Sequence, residues 1–204
     1  AEKCETKTMI GYNRRYYSIF HKGIELINKN GGLLGLAVEG HERFWNIVGR
    51  DIPSTIRENW IYANSTHTID LLRFFGGEIK SISSLSNSLK ETNGDQFVAS
   101  MKFESGALGT YSSHWYSPGG WSIRLFGEGV TVEFKPLENG RWIDTEFQVH
   151  EILADKEDIN FKPGFFKQIE SFGRLVRGET LAWPAQDLRE AQKTMELTRK
   201  ISGW

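Results

Sequence analysis

Between Ile79 and Phe134 apolar and polar residues alternate in short runs joined by glycine turns, and no other feature limits the possible folds so strongly. Phe97, Ala99, Met101 and Phe103 interleave with Val98, Ser100 and Lys102, which predicts a strand with one face in a core. Glu104-Ser105-Gly106 predicts a hairpin turn into a strand over 107–116, and Glu128-Gly129 joins 122–126 to 130–134 in the same way. Strands linked by such tight turns pair antiparallel. Residues 141–152 predict one further strand.

Helical spacing flanks this stretch on both sides. Thr8–Tyr12 predicts a short strand, after which Tyr16, Ile19, Phe20, Gly23, Ile24 and Ile27 recur at intervals of three and four until Asn30-Gly31-Gly32 ends the helix. Leu33–Val38 predicts a strand, residues 41–59 look irregular, and a helix over 65–75 opens on the capping types Asn64, Ser65 and Thr66. Downstream, Phe165, Ile169, Phe172, Leu175 and Val176 form one apolar stripe. Leu188, Ala191, Met195, Thr198 and Ile201 form another, with Asp187 in N-cap position. The expected class is α+β: an open, mainly antiparallel β-sheet with helices packed on one face.

Charge and motif content remove several function classes. Lys and Arg number 25 against 26 Asp and Glu, so a nucleic acid meets no net attraction. No apolar run approaches the roughly 20 residues of a membrane span, and no signal-type stretch opens the chain, so a cytoplasmic protein without membrane or nucleic-acid partners is expected. The single cysteine, Cys4, cannot form an intrachain disulfide. Gly127-Glu128-Gly129 is the nearest approach to a dinucleotide fingerprint, but no third glycine follows and the segment suits a hairpin. The five histidines have no ligand spacing, so no metal site is expected.

Two constellations could carry chemistry. His67 lies where a helix begins, and the positive end of a helix dipole disfavours imidazolium. A neutral imidazole there can accept a proton or hydrogen bond from a substrate hydroxyl, or simply bond to backbone or Asp70. In Gly11-Tyr12-Asn13-Arg14-Arg15-Tyr16 a strand hands over to a helix. Asn13 can cap that helix, and the two guanidiniums are either fork-shaped donors for an anionic or polyhydroxylated ligand or plain solvated charges. Trp60, Tyr62, Trp115 and Tyr116 could stack on a sugar ring or pack in the core.

Taken in order, Met9–Tyr16, Thr66–Gly76, Phe103–Thr110, the helix over 165–178 and the helix over 187–201 resemble the C-terminal domain of the Gfo/Idh/MocA oxidoreductases. The resemblance covers nearly the whole chain. It implies an intact protein with a Rossmann domain for NAD or NADP, here represented only by residues 1–12 as a terminal remnant whose first residues, Ala1 to Cys4, look like a helix tail. Residues 13–204 would be the substrate-binding and oligomerisation domain. No dinucleotide is expected on this chain alone.

The same resemblance implies that His67 matches a catalytic histidine, and that Asn13, Arg14, Tyr62 and Asn64 face substrate while Tyr12 and Asn13 lie near the cofactor. Ala63 stands where the family often has aspartate, and Lys3 does not match the family's E-K-P lysine. The implied activity is hydride transfer on a sugar, nucleotide sugar or cyclitol, in a homodimer or homotetramer formed through the open sheet face. The alternative is a non-catalytic ligand-binding or oligomerisation domain of a degenerate member.

Overall fold

In the computed structural model, which describes residues 6–203, the hairpin-rich stretch builds most of a single eight-stranded sheet. Its strands are β1 (Leu33–Gly40), β2 (Ile79–Asn87), β3 (Gln96–Phe103), β4 (Leu108–His114), β5 (Trp121–Gly127), β6 (Val130–Phe134), β7 (Gly140–Ile143) and β8 (Val149–Ile152). They are arranged β2-β3-β4-β1-β5-β6-β7-β8, with β1 and β4 parallel and every other neighbouring pair antiparallel. Seven helices accompany them: α1 (Ser18–Lys29), α2 (Phe44–Val48), α3 (Ser54–Glu58), α4 (Thr66–Gly76), α5 (Lys156–Asn160), α6 (Phe165–Val176) and α7 (Leu188–Ser202). The chain is α+β with an open, mainly antiparallel sheet, as its pattern predicts.

The alternation decides which face is covered. Phe97, Ala99, Met101 and Phe103 are buried while Val98, Ser100 and Lys102 between them are exposed. Helices α1, α4 and α7 pack on the buried side, over β6, β1 and β2 respectively. There Phe20 meets Phe134 at 4.7 Å between ring centroids and Phe75 at 5.2 Å. Tyr111, Ile123 and Val132 also point into this core. The opposite face is largely polar across β5–β7, where Glu133 pairs with Arg124 at 2.8 Å and with Arg141 at 2.6 Å.

Several local expectations need correction. Thr8–Tyr12 forms no strand; the Ile10 N–H donates to the Gln186 carbonyl, so the segment leans on a loop rather than on the sheet. Residues 41–59 contain α2 and α3, and residues 141–152 form two strands, not one, turning through Phe147 at φ 61°. The helix expected over 165–178 forms as α6, and of the five residues of its apolar stripe only Leu175 is buried. On α7, Asp187 does cap, its Oδ1 accepting from the Glu190 N–H at 2.9 Å, but Leu188 and Met195 stay exposed while Thr194 and Thr198 turn inward. The readings placed on Ala1–Cys4 and Lys3 lie outside the described residues.

What draws these elements together is a buried polar cluster. Arg15 grips Asp70 of α4 with two bonds, Nε to Oδ2 at 2.6 Å and Nη2 to Oδ1 at 3.0 Å, and both side chains are sealed from solvent. The Thr194 hydroxyl of α7 donates to the same Asp70 carboxylate at 3.0 Å. One turn along α4, Arg73 reaches the Glu190 carbonyl at 2.8 Å and the Glu78 carboxylate at 2.8 Å. Asp70→Ala would strand the Arg15 guanidinium in the core, which costs about 3–5 kcal/mol for a buried pair. Urea unfolding should show that loss for Asp70→Ala, and a smaller one for the double replacement Arg15→Met with Asp70→Leu, which leaves no unpaired charge.

Candidate functional site

Three elements meet at the end of β1, and each brings part of the site. The first is a 3₁₀ turn, Asn13–Tyr16, held by Arg15 from beneath. Asn13 turns inward: its Nδ2 donates to the Pro163 carbonyl at 3.2 Å and its Oδ1 accepts from Arg14 Nη1 at 3.1 Å. Gly164, at φ 78°, lies so close to the Asn13 carbonyl that any Cβ would collide with it, so only glycine lets α6 start against this turn. Arg14 then extends over the Trp121 ring, its guanidinium carbon 4.6 Å from the centroid. Burial lowers the Arg14 pKa, and no ion pair involves this cation among the described residues.

The second element is a π-helical turn, Ile61–Ser65, running directly into α4. It removes the free helix start expected at Asn64–Thr66. None of the three caps α4: Thr66 Oγ1 donates back to the Tyr62 carbonyl at 3.3 Å, while Asn64 and Ser65 turn to the third element, the Glu42 carboxylate. Asn64 Nδ2 donates to Glu42 Oε2 at 3.0 Å and Ser65 Oγ to Oε1 at 2.7 Å. Burial pushes the Glu42 pKa up, against the pull of these bonds and of the Arg14 charge. π-Turns that aim side chains in this way are frequent at functional sites.

His67 follows on the same turn. Its ring meets Tyr12 edge-on at 5.5 Å and lies 6.4 Å from Trp121. Burial, and after it the Arg14 charge, lower its pKa to about 4, so the imidazole is neutral at physiological pH. The sequence argument reached the neutral form by way of a helix dipole; desolvation is the actual cause. Its Nδ1 is buried and has no hydrogen-bond partner. Tyr12 beside it is pushed up to about 12, first by burial and then by the Asp70 charge, and stays a phenol.

Next to this group opens a cleft of about 770 Å³ whose walls include Glu42, Arg43, Trp60, Asn64, Trp121 and Lys135. Of the residues singled out in the sequence, Trp60 and Asn64 line the cleft directly, and Tyr12, Arg14 and His67 gather behind its Trp121 wall. Asn13 spends both ends of its amide on the protein. Tyr62 packs against the core instead of lining the cleft, Trp115 stacks on Phe44 at 4.7 Å inside the core, and Tyr116 bonds Glu91. Arg15, one of the two candidate ligand forks, is a structural ion-pair partner. Glu42 and Trp121 went unnoticed in the sequence, because a single carboxylate and a single indole in irregular stretches carry no spacing signal. No group of three or more potential metal ligands occurs among the described residues, and no helix there is long and apolar enough to cross a membrane.

Comparison with known proteins now bears on this geometry. The profile of the GFO/IDH/MocA C-terminal domain matches residues 47–133, a span that contains Asn64, His67 and Trp121. That stretch, under half of the chain, is what carries the likeness to this family. The chain's fold is shared with an oxidoreductase from Thermotoga maritima (TM-score 0.77, 18% identity, 98% of this chain and 61% of that one). It is shared equally with UDP-N-acetylglucosamine 3-dehydrogenase from Acidithiobacillus ferrooxidans (TM-score 0.76, 13% identity, 98% and 62%). A levoglucosan dehydrogenase in complex with NADH and L-sorbose is a further match (TM-score 0.75, 13% identity, 96% and 63%). The chain thus spans less than two thirds of the length of these solved structures. No curated protein matches it in sequence.

Glu42 is the fastener between β1 and the π-turn. Removing it by Glu42→Ala leaves Ser65 and Asn64 without their acceptor, a loss of about 1–3 kcal/mol. Hydrogen exchange should speed up at residues 61–65 while the β3–β4 amides keep their protection; unchanged exchange at the π-turn would remove Glu42 from this role.

Proposed function

We propose that this chain is the substrate-binding domain of an NAD(P)-dependent oxidoreductase acting on the hydroxyl group of a sugar, nucleotide sugar or cyclitol. The carrying observation is the buried, unpartnered Nδ1 of a neutral His67 near Arg14, both behind the Trp121 wall of a tryptophan-flanked cleft. An orphaned acceptor in such a place is satisfied when a ligand hydroxyl donates to it. Trp60 and Trp121 offer aromatic faces for the apolar side of a sugar ring, and Asn64 and Glu42 offer a donor and an acceptor for its hydroxyls.

The described residues include no strand–glycine turn–helix to seat a pyrophosphate. Holding the dinucleotide therefore falls to chain outside these residues, and a nicotinamide would supply the hydride acceptor or donor. The part played by this chain is orientation: Trp121 and Asn64 fix the ring, Arg14 stabilises negative charge that develops on the reacting oxygen, and His67 receives the hydroxyl hydrogen. Self-association through the open sheet face belongs to the same proposal. The exposed Ala63 beside Asn64 favours the second reading, a ligand-binding domain without catalysis.

In the intact enzyme His67→Ala should lower turnover by about 10²–10⁴, the range for a lost proton partner, with little change in melting temperature. Full turnover per folded molecule would contradict the catalytic role and leave the binding-only reading.

A further inference from the structure

The cleft wall formed by α2 carries positive charge that the protein itself leaves unanswered. Arg43, Asn46, Ile47 and Arg50 stand at the spacing of one helical face, and all four line the cleft. Helix α2 spans only Phe44–Val48, but Gly49 continues in the right-handed region and the Arg50 N–H donates to the Ile47 carbonyl at 3.1 Å, so Arg50 completes the face. Ile47 is buried and seats the helix. Both guanidiniums are exposed and enter no ion pair or side-chain hydrogen bond among the described residues. Lys135 adds a third cation to the same walls and is held only loosely, 3.7 Å from Glu39.

The acids on these walls do not answer those cations. Glu42 spends its carboxylate on Asn64 and Ser65, and Glu138 accepts from the Tyr17 hydroxyl at 3.2 Å. His41 adds a donor. Burial lowers its pKa, and its Nδ1 accepts from the His114 N–H at 3.1 Å, so the neutral ring carries its hydrogen on Nε2. A wall with open donors and occupied acceptors favours an anion. The cleft volume of about 770 Å³ falls in the upper part of the ~300–1,000 Å³ range of small-molecule sites, which leaves room beside a sugar ring for a charged substituent. A carboxylate carries one charge and is served by one guanidinium fork, whereas a phosphoryl group carries about −1.5 to −2 on three oxygens and takes several cations at once. We infer that the α2 face, through Arg43 and Arg50 together with Lys135, binds a phosphoryl group borne by the substrate. The inference rests on the reading of this cleft as the substrate site. It assigns the α2 wall to the charged end of the ligand and the Trp121 wall to the hydroxyl that reacts.

The test titrates the 204-residue chain calorimetrically with inorganic pyrophosphate as the probe. Pyrophosphate should bind about tenfold tighter than D-glucuronate, and D-glucose 1-phosphate should displace it. Arg43→Ala and Arg50→Ala should each weaken pyrophosphate about tenfold, the loss expected for a hydrogen bond between charged groups. Neither should lower the melting temperature, because both side chains are exposed and unpaired. Arg174→Ala, which removes an exposed cation of α6 outside this cleft, should weaken binding by under about twofold. Absent binding overturns the inference, and so does equal weakening by Arg174→Ala, which would mean general surface attraction only. Glucuronate binding as tightly as pyrophosphate makes the recognised group a carboxylate and overturns the phosphoryl assignment. Displacement by NADH at lower concentration than by D-glucose 1-phosphate gives the site to the cofactor and overturns it as well. The functional reading fails by a different variant: full turnover of His67→Ala in the intact enzyme removes catalysis, while pyrophosphate binding through Arg43 and Arg50 persists.

Discussion

The buried pair of Arg15 and Asp70 is the contact on which the rest of this structure turns. It ties the 3₁₀ turn to α4, and through Thr194 it ties α4 to α7. The pair lies directly under the site: Arg14 precedes Arg15, and His67 precedes Asp70 by one helical turn. Fixing one member of each couple therefore fixes the other. A charge pair sealed in the interior has to be well made, since the desolvation of each ion is recovered only through good geometry. Here Asp70 accepts three hydrogen bonds, two from Arg15 and one from Thr194. The reward is geometric precision in an adjoining cluster that is itself partly unsatisfied.

Opposite electrostatic fates of neighbouring residues make the site. Arg15 has a carboxylate and disappears into the core, whereas Arg14 has an indole face and keeps an unneutralised charge beside the cleft. That charge reinforces the desolvation that keeps His67 neutral and opposes the desolvation that pushes Glu42 up. One cation thus biases an imidazole and a carboxyl toward their deprotonated forms, the forms that accept hydrogen bonds from a ligand. The same balance ties stability to pH. The unfolded His67 binds a proton below its ordinary pKa of 6.5 and the folded one only below about 4. Its contribution to stability is therefore lost as pH falls through that window.

Much of the fold was legible because the sheet is patterned on one side only. Period-two alternation in 97–103 fixed both the strand and its buried face, and Gly106 and Gly129 marked real turns at positive φ. Helix boundaries failed where a tertiary bond outweighed a local preference: Asn64 and Ser65 have the side chains of caps, but the Glu42 carboxylate is a stronger acceptor for them than an N-terminal turn is a donor. The α6 stripe formed as read, but its surroundings were not legible. Periodicity reports that a face wants cover, not what covers it, and α6 leaves its stripe in solvent. His67, Arg14 and Asn64 could be named from the sequence, whereas Glu42 and Trp121 reach the site only through folding of the β1 end and the Gly119-Gly120 turn.

The central claim is that folding around Arg14 creates a neutral, ligand-seeking imidazole at His67, and the most direct measurement is the titration of that single ring. Carbon-detected NMR of the histidine side chains between pH 3 and pH 8 should resolve five imidazoles in this chain. The account predicts that the His67 signals stay constant through neutral pH and move only near pH 4, as the chain approaches acid unfolding. A His67 midpoint close to 6.5, with the fold intact, would mean a solvated, ordinary imidazole and would contradict the account.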